Sequence, residues 1–295
     1  MRMLITDLDN TLYDWVTFFA KAFQGLLDEL AGLLAVDKRQ LITEFRTLHR
    51  AVGSSEQPFA MLELPAVSRH FGDLPRSELK RRLDAPMHAF NSLRRQHLRL
   101  YDGVAETLAA LRARGVVIVG HTESMAENAF FRLRWLGIDG YFRRLYVIAS
   151  DYPGHPDPER SAALQPPEDL VRVLPRDERK PNPAVLRDIC RREGAAIAES
   201  WYLGDSIARD IHMAKAAGMT AIWARYGTRY DHELWHFLVS ISHWTEDDVR
   251  REEELRRQAE HAKPDYVLDD FKELLVILDT PAAAALQSPS GSLAE

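Results

Sequence analysis

A single cysteine, Cys190, stands among 295 residues. One thiol cannot close an internal disulfide, so nothing marks the chain as a disulfide-stapled secreted domain. Its setting, Asp188-Ile189-Cys190-Arg191-Arg192, reads as a small apolar residue on the buried side of a helix. Long apolar runs are also missing: none approaches the roughly 20 residues that span a bilayer. Asp7 and Asp9 arrive before an apolar stretch of signal-peptide length could form. Excess positive charge is lacking too, with 38 Lys and Arg against 44 Asp and Glu and a formal net charge of −6. That balance offers no bulk attraction to nucleic acid or an anionic membrane. The expectation is a soluble, cytoplasmic protein with neither as a partner.

What is present fits an ordinary globular protein, with 46% hydrophobic and 28% charged residues. The length suits one large domain or two linked ones, and no internal repeat is visible. Residues 3–6 form a short apolar run that ends in Asp7-Leu8-Asp9-Asn10-Thr11, which reads as a buried strand and its exit loop. Phe18, Phe19, Ala22, Phe23, Leu26, Leu27 and Leu30 then recur at helical spacing. The same period returns over 38–52, 59–71 and 76–99, with breaks at Gly53-Ser54-Ser55 and Gly72-Asp73-Leu74-Pro75. No strand-like alternation interrupts it, so an all-helical insert is expected.

From about 100 onward, strand and helix alternate. Helical patterns over 104–114, 126–136, 183–193 and 207–217 separate short apolar runs at 116–119, 146–149, 201–203, 220–223 and 266–268. This rhythm predicts a parallel sheet with helices on both faces. Two stretches depart from it. Residues 150–178 carry Pro153, Pro156, Pro158, Pro166, Pro167 and Pro175 and read as a long irregular loop. Residues 228–263 read as a charged helical insert, in which Trp235, Phe237, Leu238 and Trp244 are candidates for packing on the core or for a homodimer contact. The tail, 281–295, is low in complexity and expected to be disordered.

The candidate chemistry sits at strand ends, where open α/β sheets bind ligands. Asp7 and Asp9 follow the first strand; one carboxylate can attack phosphorus while the other moves protons, and two neighbouring anions call for a cation. Gly204-Asp205-Ser206 ends another strand, with Asp210 on the next helical turn, a spacing that suits either Mg²⁺ ligands or a helix cap. Lys180 lies in Arg179-Lys180-Pro181-Asn182-Pro183, where prolines stiffen the loop that presents it, so it can serve as a point charge beside phosphate. The strand at 116–119 leads into Gly120-His121-Thr122-Glu123-Ser124, whose hydroxyls and amides can hold phosphoryl oxygens.

Taken in order, these motifs resemble the haloacid dehalogenase-like hydrolase superfamily. Asp7-Leu8-Asp9-Asn10-Thr11-Leu12-Tyr13 matches its first motif, Thr122 the second, Lys180 the third, and Gly204-Asp205-Ser206 with Asp210 the fourth. The resemblance spans roughly 3–14 and 100–278. It implies a doubly wound, Rossmann-like parallel sheet over 1–14 and 100–280 and an all-helical cap over 15–99. The second motif departs from the pattern: Glu123 follows Thr122 where the family continues into Asn or Asp, so Ser124 is an alternative hydroxyl. By resemblance Asp7 is the nucleophile that forms an aspartyl-phosphate, and Asp9 is the acid and then the base. Mg²⁺ is held by Asp7, the Asp9 carbonyl and Asp205. Thr11, Thr122, Glu123 and Lys180 meet substrate phosphate, and Asp210 and Ser206 support them. Dehalogenases of the superfamily attack carbon and need no acid at the position of Asp9, whereas an alkoxide leaving a phosphate ester must be protonated. The expected activity is therefore Mg²⁺-dependent hydrolysis of a small phosphomonoester: a nucleotide, flavin mononucleotide, a sugar phosphate or phosphoglycolate. A sugar phosphomutase and a non-catalytic partner-binding protein are the alternatives. Arg81, Arg82, Arg94 and Arg95 in the cap are candidates for a second anion or for a solvated helix face.

Overall fold

The computed structural model describes residues 1–57, 59–150, 165–243 and 262–279, with Arg250, Glu254, Leu255 and Arg257. Seven parallel strands form one sheet in the order β4-β3-β2-β1-β5-β6-β7. They are β1 (Met3–Thr6), β2 (Val117–His121), β3 (Arg144–Ile148), β4 (Val171–Leu174), β5 (Ser200–Gly204), β6 (Thr220–Ala224) and β7 (Tyr266–Leu268). The central strand β1 is buried throughout, as a parallel strand covered on both faces must be. Its alternate residues serve two cores. Leu4 joins Leu108, Leu111 and Leu133 of α6 (Val104–Ala113) and α7 (Ala126–Trp135) on one face. Met3 and Ile5 join Leu186, Ile189 and Met213 of α8 (Pro183–Glu193) and α9 (His212–Ala217) on the other. The helix α11 (Glu273–Asp279) closes the chain of described elements.

Chain order reverses at β1: β2 to β4 extend to one side and β5 to β7 to the other. The crevice at such a reversal, beyond the carboxyl ends of the strands, is where these sheets bind ligands. β1 and β5 flank it, and they deliver Asp7 and Asp205.

Between β1 and α6 the chain is helical, as expected: α1 (Trp15–Leu34), α2 (Lys38–Val52), α3 (Pro65–Phe71), α4 (Arg76–Arg82) and α5 (Asp84–His97). Asp14 caps α1, accepting from the Thr17 amide at 2.8 Å. The segment leaves and rejoins the sheet through adjacent connectors, with the Tyr101 amide donating to Leu12 O at 3.0 Å. Where one helix was expected over 76–99, the chain breaks at Leu83, whose backbone leaves the helical region.

A further difference from the sequence reading arises at the edge of the sheet. Residues 171–174 form β4, not irregular loop, because Val-Arg-Val-Leu continues the sheet beside β3 as an edge strand. Val173 remains 60% exposed there, which is why no buried run betrays it. Within the stretch 228–263, α10 (His232–Ile241) packs on the helical insert through a Phe237–Phe23 ring contact, with Leu238 buried. Trp244 and the tail from 281 lie outside the described residues. No helix among the described residues is long and apolar enough to cross a membrane.

His49 ties α2 to α10: its Nδ1 lies 2.6 Å from Ile241 O, and burial holds the imidazole below its ordinary pKa. The unfolded chain, with a His pKa of about 6.5, therefore binds the extra proton as pH falls, and the fold loses stability below that value. A His49→Gln variant is expected to lose less stability between pH 7 and pH 5 than the wild type, as measured by denaturant titration. An equal loss in both would remove His49 from the explanation.

Candidate functional site

Asp7 is fixed at the crevice by its amide, which donates to Leu203 O of β5 at 2.8 Å. Its side chain is bracketed: Lys180 Nζ donates to Oδ1 at 2.5 Å and Thr11 Oγ1 donates to Oδ2 at 3.2 Å. Lys180 Nζ also donates to Asp210 Oδ1 at 2.8 Å. Asp210 is braced in turn by the Tyr202 hydroxyl and the Ser206 amide, each at 3.1 Å. A single π-helical turn, Ile207–Ile211, brings Asp210 back over Gly204. This is the kind of local irregularity that marks functional sites. A Cβ on Gly204 would sit 2.4 Å from Asp210 Cγ, so only glycine fits before Asp205. Gly227 is constrained in the same way, since its Cβ would fall 1.8 Å from Asn10 O. Nearby, the Tyr226 hydroxyl donates to Thr11 O at 2.7 Å.

Asp7, Asp205 and Asp210 each offer a carboxylate oxygen, and these oxygens lie within 4.8 Å of one another. Burial pushes the Asp7 carboxyl up to about 7 against the pull of Lys180. Burial, then Asp7 and Asp210, drive Asp205 well above the carboxylate range. Burial opposes the Lys180 charge, but Asp210 and Asp7 outweigh it and hold the ammonium well above its ordinary value. One ammonium thus serves three carboxylates. The excess negative charge and the hard oxygen donors suit a small divalent cation. Asp210 takes three donors on its two oxygens, whereas Asp7 Oδ2 accepts one bond of 3.2 Å, from Thr11, so Asp7 and Asp205 are the side chains best able to ligate it.

Asp9 points elsewhere. Its Oδ2 accepts from Ser124 Oγ at 2.7 Å and its Oδ1 from Arg132 Nη1 at 2.8 Å, so only its backbone carbonyl is left to offer a metal. Arg132, on α7, is 4% exposed and reaches onward to Glu56 of the helical insert. Trp15 Nε1 donates to the same Glu56 oxygen, and Asn128 Nδ2 donates to Glu56 O at 3.1 Å. Burial works against the Arg132 charge, but Glu56 and Asp9 overcome it and keep the guanidinium protonated. Neither Arg132 nor Glu56 emerged from the sequence. One signal was available: an arginine between the buried Ala129, Phe130 and Leu133 of α7, where a charge is stable only when paired.

Several expected roles change on inspection of the contacts. Thr11 is fully buried and its hydroxyl is committed to Asp7, so it orients that carboxylate instead of meeting substrate phosphate. Glu123 accepts from the Lys180 amide and from Arg209 Nη1, both at 3.1 Å; its carboxylate braces the Lys180 loop and would repel phosphate. Thr122 Oγ1 accepts from the Ser124 amide at 3.1 Å, which fixes the loop on which both hydroxyls sit. Ser206 Oγ caps the π-helical turn, accepting from the Arg209 amide at 3.2 Å. Of the cap arginines, Arg81 and Arg82 pair with Glu78 on their own helix. Arg94 is turned inward, with its guanidinium 3.8 Å from the centre of the Phe131 ring.

The family model of haloacid dehalogenase-like hydrolases matches residues 1–218, and a second, HAD-hydrolase-like model matches 178–274. The chain is 25% identical over 281 residues to a glyceraldehyde 3-phosphate phosphatase of Methanopyrus kandleri, covering 94% of this chain and 97% of the relative. It is also 25% identical over 296 residues to a phosphoglycolate phosphatase of Pseudomonas fluorescens, covering 99% and 86%. A 2-haloacid dehalogenase of Pseudomonas syringae shares the fold with a TM-score of 0.56 at 21% identity, covering 94% of this chain and 98% of the other. Motifs, sheet order and family model converge: the chain belongs to the haloacid dehalogenase-like hydrolases.

Proposed function

We propose that the protein is a Mg²⁺-dependent phosphatase that hydrolyses a small phosphomonoester through a phosphoaspartate on Asp7. The observation that carries this reading is the Asp7 carboxylate held between Lys180 and Thr11, with Asp205 at metal-sharing distance and a second carboxylate, Asp9, beside it. The relatives named as phosphatases support it. The helices of residues 15–97 act as a cap over the crevice, joined to the core by the paired connectors.

Asp7 presents Oδ2 in a fixed direction and attacks phosphorus in line with the leaving oxygen. When bound at Asp7, Asp205 and the Asp9 carbonyl, Mg²⁺ supplies charge neutralisation for the phosphoryl group. Lys180 balances the local carboxylates, and Thr122, whose oxygen already serves as an acceptor, has its hydroxyl proton to give to a phosphoryl oxygen. To act, Asp9 must enter the step protonated: it gives that proton to the leaving alkoxide and recovers one from the water that cleaves the phosphoaspartate, so both side chains return to their starting states. Phosphoryl transfer demands alignment and charge balance more than elaborate covalent chemistry. Arg132 is a positioning residue that holds Asp9 toward the crevice.

The direct test is phosphate release from a panel of phosphomonoesters with Mg²⁺ and with chelator. Release that requires the metal supports the reading; a folded protein that releases nothing from any ester rejects it, and release only with a bisphosphate primer would favour a mutase. Arg132→Lys keeps the charge but loses the planar fork, and misplacement of Asp9 is expected to lower kcat by about 10²-fold with KM nearly unchanged. Steady-state kinetics with kcat unaltered would remove Arg132 from the mechanism.

A further inference from the structure

A cavity of about 270 Å³ opens where the Asp9 and Ser124 side chains end. Its far wall is not supplied by the cap alone. Trp235, Leu238 and Val239 of α10 line it, at the i, i+3, i+4 spacing that puts them on one helix face. Trp15 and Met125 complete the apolar surface. More of its exposed surface is apolar than polar, although polar and charged residues, Asn10, Ser54, Ser55 and Ser242 among them, outnumber the apolar ones, and its volume lies just below the usual range for small-molecule sites.

The charges are as informative as the walls. The carboxylates lining the cavity are Asp9, Glu56 and Glu123, and the guanidinium is Arg209, which is already paired with Glu123 at 3.1 Å. Arg132 lies behind Asp9 and Glu56 and is bonded to both. Even with Arg132 counted, carboxylates outnumber guanidiniums. His243 also lines the cavity, and its protonation would at most balance the set. A substrate carboxylate entering here would find each guanidinium already joined to a carboxylate, and would be desolvated against like charge. A two-carbon acid would also leave most of the apolar surface uncovered.

On the phosphatase reading, on which this inference rests, we propose that the cavity is the leaving-group subsite. It selects an alcohol with an apolar body and no anionic group, and Trp235 is a specificity-determining residue. Phosphoglycolate is thereby disfavoured, although relatives carry its name. Glyceraldehyde 3-phosphate, whose leaving group is uncharged, is tolerated better.

The test compares kcat/KM for benzyl phosphate, ethyl phosphate and phosphoglycolate, for the wild type and for Trp235→Ala and Trp235→Phe, with Mg²⁺. The wild type is expected to prefer benzyl phosphate to phosphoglycolate by at least tenfold. Trp235→Ala should collapse the preference for benzyl over ethyl phosphate, and Trp235→Phe should restore most of it. A wild type that prefers phosphoglycolate overturns the proposal while leaving the phosphatase reading intact, as does an unchanged benzyl-to-ethyl ratio in a folded Trp235→Ala. Hydrolysis of none of the three by a folded wild type that releases phosphate from other esters of the panel overturns the proposal and leaves the phosphatase reading intact; release from no ester at all rejects both.

Discussion

Asp7→Asn is expected to lower kcat by at least about 10³-fold, the scale on which loss of a nucleophile acts. The substitution conserves shape, and an amide can keep the contact with Thr11. What it removes is the lone pair that would attack phosphorus and one anionic ligand for the metal. The fold should survive, because burial already pushes the Asp7 carboxyl up to about 7, and a neutral amide escapes that strain. In metal-free buffer at pH 8 the variant should be at least as stable as the wild type. Inactivity joined to undiminished stability identifies a chemical role. Substantial activity in Asp7→Asn would mean that phosphorus is attacked by another group.

Lys180→Met has the largest expected effect on stability. Lys180 is 6% exposed and is the single ammonium among Asp7, Asp205 and Asp210. Removing one partner of a buried charge pair leaves uncompensated anions, a loss of about 3–5 kcal/mol. The pH dependence follows from the carboxyls. Asp7 and Asp205 already sit above the ordinary carboxylate range, and loss of the ammonium raises them further. A carboxyl raised on folding binds more protons in the folded state, so stability is retained at low pH and lost as pH climbs through the folded value. The deficit of Lys180→Met relative to the wild type, measured by urea titration in chelator, should be larger at pH 8 than at pH 5. Equal deficits at the two pH values would show that Lys180 acts there through packing alone.

The sheet was legible because its strands are short apolar runs, each followed by a polar exit and a helical period. Those signals are local, and they located six of the seven strands. The edge strand β4 escaped because an edge needs no apolar run on both faces and because prolines dominate its neighbourhood. Asp7 and Asp205 could be placed together from the sequence for a related reason: each directly follows a strand, and sheet topology then gathers strand ends without long-range information, whereas Lys180 was singled out by its proline-flanked loop and by the family resemblance. Contacts between the insert and the core were not readable. Arg132 and Glu56 are 76 residues apart in the chain, and no local period links them. Thr11 and Glu123 were assigned to phosphate by their motif positions, whereas their contacts turn one toward Asp7 and the other toward Arg209 and the Lys180 loop. The leaving-group cavity was the least visible feature, since it is assembled from the segment after β1, the loop after α2, the turn after β2 and the face of α10.

The central claim is a phosphoryl group carried on Asp7. Mixing enzyme, Mg²⁺ and a turned-over phosphomonoester, quenching in acid within the first turnover, and mapping peptides by mass spectrometry tests it. One added phosphoryl group on the peptide bearing Asp7, absent in Asp7→Asn, is the expected result. Rapid phosphate release with that peptide unmodified at every quench time, or a phosphoryl group found on another residue, would contradict it.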